Sequence, residues 1–167
     1  FLFLLLLFLL ISTQVSSLGS HAYSGVFNIM NQNSKKYLDV AFGSKENGAK
    51  INQFEPNGAR NQIWYLYYEG YLFGGRTYSI ICSNSLKAID NPSSSKEAGV
   101  QMQQSSYHEG ENQMFVMTSA GDGSVYLKNV ASRLYLDIEG ASKANSAHLN
   151  HFTFHGGSNQ RFYFIPY

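Results

Sequence analysis

The sequence predicts an all-β chain in which three copies of one unit close a threefold barrel capped by hairpins. Three observations lead there. The stretch "NQIW" at Asn61 to Trp64 returns as "NQMF" at Asn112 to Phe115 and as "NQRF" at Asn159 to Phe162. Apolar residues alternate at period two near the start of each copy, in Phe27 and Ile29, Tyr78 and Ile80, and Val125 and Leu127, which is the pattern of a half-buried strand. Turn-formers separate such runs ("NQNSKK", "FGSKENG", "EPNGARN", "DNPSSSKEAG", "SAGDG", "HGGSN"), and past the N-terminal segment no long stretch shows helical periodicity. A unit of about four short strands cannot bury its apolar face alone, so the copies must pack on one another. Three propeller blades fall below the usual minimum of about four, which favours the closed barrel.

The opening "FLFLLLLFLLISTQVSSLGS" differs from all that follows. Its apolar run, Phe1 to Ile11, is well short of the roughly 20 residues that span a bilayer and is followed by small polar residues. Residues 1–20 therefore read as a secretory signal, N-terminally truncated because both the basic start and an initiator methionine are missing. The mature chain is expected to begin between Leu18 and Tyr23 and to have no membrane insertion once the signal is removed. Cys82 is the single cysteine, so no intrachain disulfide can form, and the core must supply stability. A hydrophobic fraction of 44%, with 15% aromatic, is sufficient for that. A net charge of +1 without a basic block excludes a nucleic-acid footprint.

With Asp39, Asp90 and Asp137 as origins, the three copies align without a gap. Asn52, Gln103 and Asn150 stand thirteen residues on, and Phe54, Ser105 and Phe152 fifteen on. Asn61, Asn112 and Asn159 stand twenty-two on, followed by Gln62, Gln113 and Gln160, with Trp64, Phe115 and Phe162 closing the motif. Ser34, Ser85 and Ser132 precede each aspartate by five. One domain is expected over 22–167, with repeats at about 22–73, 74–123 and 124–167.

These residues resemble the ricin B-type lectins, β-trefoil carbohydrate-binding domains with a Gln-x-Trp motif in each of three subdomains. The stretch "LDVAFGSKENGAKINQFEPNGARNQIW" matches most fully, and the likeness covers about 22–167. It implies that Gln62, Trp64, Gln113, Phe115, Gln160 and Phe162 are structural. It also implies that sugar is held by Asp39, Asn52, Phe54 and Asn61 in the first repeat and by Asp137, Asn150, Phe152 and Asn159 in the third. Asn stands where the family more often has Gln, and Phe where Trp or Tyr is commoner.

The chemistry of such a set is independent of the likeness. A carboxylate accepts two sugar hydroxyls through charge-assisted bonds, an aromatic face covers the C–H patch of a pyranose, and amides donate and accept at the remaining hydroxyls. The second repeat keeps Asp90, Gln103 and Asn112 but has Ser105 in place of the aromatic, so a weak or lost site is expected there. Tyr107 is the candidate substitute if the loop folds back.

For a single aspartate, turn capping is the commoner role; three partners in register favour ligand contact at Asp39 and Asp137. His148, His151 and His155 are spaced for one face of a helix, yet "AHLNHFTFHGG" reads as strand into turn, so they are taken as ordinary repeat positions and no metal is expected. Cys82 has no local catalytic signature and reads as an inert thiol. The expected protein is a non-enzymatic lectin for galactose- or N-acetylgalactosamine-type glycans, without cofactor, a monomer or homodimer. The alternative is a trefoil for protein contacts with vestigial sugar sites.

Overall fold

The computed structural model describes residues 22–167, and the N-terminal segment read as a signal lies outside the described residues. Twelve strands follow one another: β1 (Ala22–Asn31), β2 (Tyr37–Val40), β3 (Ile51–Phe54), β4 (Trp64–Leu72), β5 (Gly75–Cys82), β6 (Ala88–Asp90), β7 (Gln103–Ser105), β8 (Phe115–Ser119), β9 (Val125–Asn129), β10 (Tyr135–Ile138), β11 (Leu149–Phe152) and β12 (Phe162–Pro166). Six pair antiparallel in a ring, β1–β4–β5–β8–β9–β12 and back to β1, which closes the barrel and leaves it without an edge. The hairpins β2–β3, β6–β7 and β10–β11 branch from it, one per repeat. The all-β, threefold expectation is met. Six short 3-10 turns were not foreseen; three follow the repeat aspartates and three carry the Asn-Gln pairs, at Arg60–Gln62, Glu111–Gln113 and Ser158–Gln160.

The core is built in triplets, one residue from each repeat. Trp64, Phe115 and Phe162 form one layer, Ile29, Ile80 and Leu127 another, and Leu38, Ile89 and Leu136 a third; all are buried. A large aliphatic or aromatic side chain removed from water contributes about 1.5–3 kcal/mol, so these layers dominate folding. Trp64 also donates its indole N–H to the Leu38 carbonyl at 3.1 Å, a bond neither phenylalanine can make. Cys82 occupies the place of Asn31 and Asn129 and is fully buried against the core. Burial pushes its thiol up in pKa.

The repeats are stitched together by one buried side chain each. Gln53 donates to the carbonyls of Ser142 and Ala144, both at 2.9 Å, and accepts from Ser34 at 2.6 Å. Gln104 does the same to Ser44 and Glu46 in the first repeat and to Ser85 in its own. In the third repeat His151 takes this place, its Nε2 2.9 Å from the Glu97 carbonyl and Nδ1 3.0 Å from the Ser132 hydroxyl. A carbonyl can only accept, so Nε2 carries the proton, and neutral imidazole reproduces the donor and acceptor of the glutamine amide.

Burial holds the His151 imidazole below its ordinary pKa, opposed by the Glu97 bond. Above the ordinary imidazole value of about 6.5 the ring is neutral in both states and its stabilisation is complete. On acidification the unfolded chain takes up the proton first, so stability falls through this window down to the depressed folded value. The melting temperature of the wild type should therefore drop more between pH 7.5 and pH 5 than that of His151→Gln, measured by circular dichroism; identical pH profiles would contradict this.

Candidate functional site

Each repeat aspartate lies at or one residue before the end of a hairpin strand, and the pairing places its partner thirteen residues on directly opposite: Asp39 faces Asn52, Asp90 faces Gln103 and Asp137 faces Asn150. The Asn-Gln turn then packs beneath the carboxylate. In the first repeat Asp39 Oδ2 accepts from Asn61 and from Gln62, both at 3.0 Å, and Asn61 also reaches the Val40 carbonyl. Gln62 further donates to the Glu55 carbonyl and accepts from Asn57 N–H, so one buried amide fixes both the aspartate and the loop. Gln113 and Gln160 hold the loops of their own repeats in the same way, the latter through Thr153 and His155.

Two recesses result. The first, about 520 Å³, gathers Asp39, Asn52, Phe54 and Asn61 with Phe42 and Asn57. The other, about 380 Å³, gathers Asp137, Asn150, Phe152 and Asn159 with Glu139 and His155. The two sets that sequence register grouped are thus adjacent in space. In both, the second carboxylate oxygen, Oδ1, accepts no hydrogen bond among the described residues, whereas Oδ2 is fully engaged. In the third repeat the buried Asn150 Oδ1 is also unpartnered among the described residues. A buried acceptor left unmade costs about 1–3 kcal/mol, a cost that the third repeat carries at Asn150.

The second repeat is closed from within. Gln103 donates to Asp90 Oδ1 at 3.1 Å, while Asn112 and Gln113 take Oδ2 at 2.9 and 3.0 Å. Its aspartate is satisfied by its own neighbours. Tyr107 does not supply the missing aromatic: its hydroxyl donates to Glu69 at 2.8 Å and its ring packs beside Tyr67, Ile81 and Ala88. The 3-10 turns after the aspartates show a further difference. Asn84 donates to the Gly43 carbonyl and Asn33 to the Ala141 carbonyl, each at 2.7 Å, tying those turns to a neighbouring repeat. Ala131, which stands in that register for the middle repeat, has no side chain able to do so.

Sequence reading aligned the position eighteen residues after each aspartate but did not assign it to the site. His155 holds the repeat position of Asn57 and His108, as the register predicts, and also belongs to the site: its Nε2 donates to Asp137 Oδ2 at 3.1 Å, the tautomer being set by Gly157 N–H donating to Nδ1. Asn57 lines the first recess from the same register, and His108 Nε2 lies 3.7 Å from Asp90. Three polar residues at one register were the available signal. Of the other described histidines, His148 pairs with Glu139 at 3.1 Å and His151 sits in the clasp. No group of three or more metal-ligating side chains converges among the described residues.

Burial raises the pKa of both Asp39 and Asp137; hydrogen bonds from Gln62 and Asn61 oppose this at the first, and the His155 and amide contacts at the second.

This geometry, shallow paired recesses with a half-open carboxylate beside an aromatic ring, defines a lectin-class β-trefoil. A family model described as ricin-type beta-trefoil lectin domain-like matches residues 13–72, 71–152 and 111–167, and the chain belongs to that family. Among solved structures, the designed threefold-symmetric protein ThreeFoil is 31% identical, with TM-score 0.80, covering 86% of this chain and 100% of that one. An exo-β-1,3-galactanase from Clostridium thermocellum is 30% identical, TM-score 0.80, over 86% of this chain but 30% of its own length. The C-half of an earthworm R-type lectin, in complex with GalNAc, shares the fold at 21% identity and TM-score 0.66, over 85% and 98% of the two chains. No curated protein matches the sequence.

A carboxyl with a raised folded pKa favours folding at low pH, and that advantage is lost as pH rises through the folded value, so at neutral pH each aspartate costs stability. Asp39→Asn, whose amide oxygen can still accept from Asn61 and Gln62, should melt no lower than wild type at pH 7. Asp39→Ala, which strands both donors, should lose about 1–3 kcal/mol in urea titrations. Equal losses in the two variants would contradict this reading.

Proposed function

We propose that the protein is a secreted, non-catalytic lectin that binds galactose- or N-acetylgalactosamine-type glycans at its first and third repeats. One observation carries the reading. Asp39 and Asp137 each spend one oxygen on the scaffold and offer the other to a recess with an aromatic ring and two amides. The offered oxygen takes sugar hydroxyls, Phe54 or Phe152 covers the apolar face of the ring, and the asparagines complete the polar contacts.

The galactose class is supported by the neighbours' names, a galactanase and a lectin half in complex with GalNAc. Secretion is supported by the signal-like opening of the sequence. Each recess is open and shallow, so affinity at one site is weak, and two sites on one rigid barrel gain strength on surfaces that display many glycans. A second reading, docking on a protein, is favoured by one feature: Tyr71, Leu72 and Phe73 are exposed at the β4–β5 hairpin.

A glycan array run with wild type and with Asp39→Ala, Asp137→Ala, the latter checked for folding by circular dichroism, tests the proposal. Wild type should bind a coherent galactose-terminated set that the double variant loses. Absence of binding across the array would sink the lectin reading and leave protein docking in its place.

A further inference from the structure

The first and third recesses share their floor and differ at the rim. The turn after each aspartate needs a left-handed backbone at its second residue, with φ of 58° at Phe42, 53° at Ser93 and 59° at Gly140. Gly140 meets that demand freely, and a bulky residue there is an outlier. Phe42 is also fully exposed, at 105% relative exposure, so its ring gains nothing from the core. The backbone that carries it is held in place. Asn84 holds the Gly43 carbonyl at 2.7 Å, Asn61 holds the Val40 carbonyl at 2.9 Å, and Ser44 N–H closes the turn on Ala41 at 3.2 Å. A strained aromatic, displayed to water by a fixed turn at the mouth of the recess, points to a ligand that it touches.

A second local feature agrees. Ser146, in the third repeat, also lines the first recess with φ of 64°, while its counterparts Gly48 and Gly99 carry no side chain. The first recess is the larger of the two and is walled by Phe42, Phe54, Asn57 and Ser146, whereas the third has Gly140 and Gly99 at the corresponding rim.

The geometry points to Phe42 as a second stacking platform, which makes the first recess a site for at least two linked sugar residues while the third recess takes one. Asp39 and Phe54 hold the terminal residue. Phe42 covers the apolar face of the next, with the Ser146 hydroxyl available to its polar edge. This rests on the carbohydrate reading above.

The two sites can be followed separately in one sample through the side-chain amide resonances of Asn61 and Asn159 in nitrogen-15-labelled protein, titrated with galactose and with lactose. In wild type the Asn61 signal should report a clear preference for lactose over galactose, and Asn159 little or none. Phe42→Gly should weaken lactose at Asn61 roughly 5- to 10-fold, the size of one lost aromatic contact, and so lower the lactose-to-galactose preference there. Phe42→Trp should keep the preference. An unchanged lactose-to-galactose ratio at Asn61 in Phe42→Gly, or no preference in wild type, overturns the role of Phe42 alone. Silence of both amides with both sugars overturns the carbohydrate reading together with it.

Discussion

Long loops running between the hairpins of a closed barrel carry carbonyls that cannot all reach water, and a buried carbonyl without a donor costs as much as several favourable contacts return. The trefoil answers with a cyclic set of clasps. Gln53 of the first repeat satisfies the third, Gln104 of the second satisfies the first, and His151 of the third satisfies the second. Each repeat therefore needs another in order to fold, and the hydrophobic triplets at the centre are brought into register by the same ring. The loops so fixed form the rims of the recesses, which links the stability of the fold to the shape of the sites.

In the first and third repeats the carboxylate is where the scaffold and the recess meet. One oxygen belongs to the Asn-Gln turn, and the other differs between the repeats. In the first and third repeats it faces the recess; in the second, Gln103 occupies it. The longer glutamine reaches the carboxylate where Asn52 and Asn150 do not, Asn52 instead accepting from Gln101 at 2.8 Å. A change of one methylene thus separates an open site from a closed one. The pKa of the open carboxylates is raised by burial, so the fold carries a cost at the positions that line the recesses.

The triplicate register made most of this legible in the sequence. Alternation gave the barrel strands, and the shared offsets from Asp39, Asp90 and Asp137 grouped the two recess sets, because residues opposite one another in a hairpin keep a fixed spacing. What stayed hidden depends on turns. His155 and Asn57 share a register, but polar residues beside glycines read equally well as turn-formers. The turn that displays Phe42 is announced only by Gly140 in another copy, and no sequence rule says that an aromatic at that place faces a recess. Asn33 and Asn84 reach across repeat boundaries, which local patterns do not register, and the engagement of Tyr107 with Glu69 is of the same kind.

We propose that two of the three related repeats hold sugar and that the aspartate oxygen left open by the scaffold distinguishes them. The most direct measurement is a crystal structure of the protein soaked with galactose. The account predicts a sugar with a hydroxyl on Oδ1 of Asp39 and another on Oδ1 of Asp137, each ring lying against Phe54 or Phe152, with Asp90 still bonded to Gln103. Sugar seated on Asp90, or bound only away from all three aspartates, would contradict it.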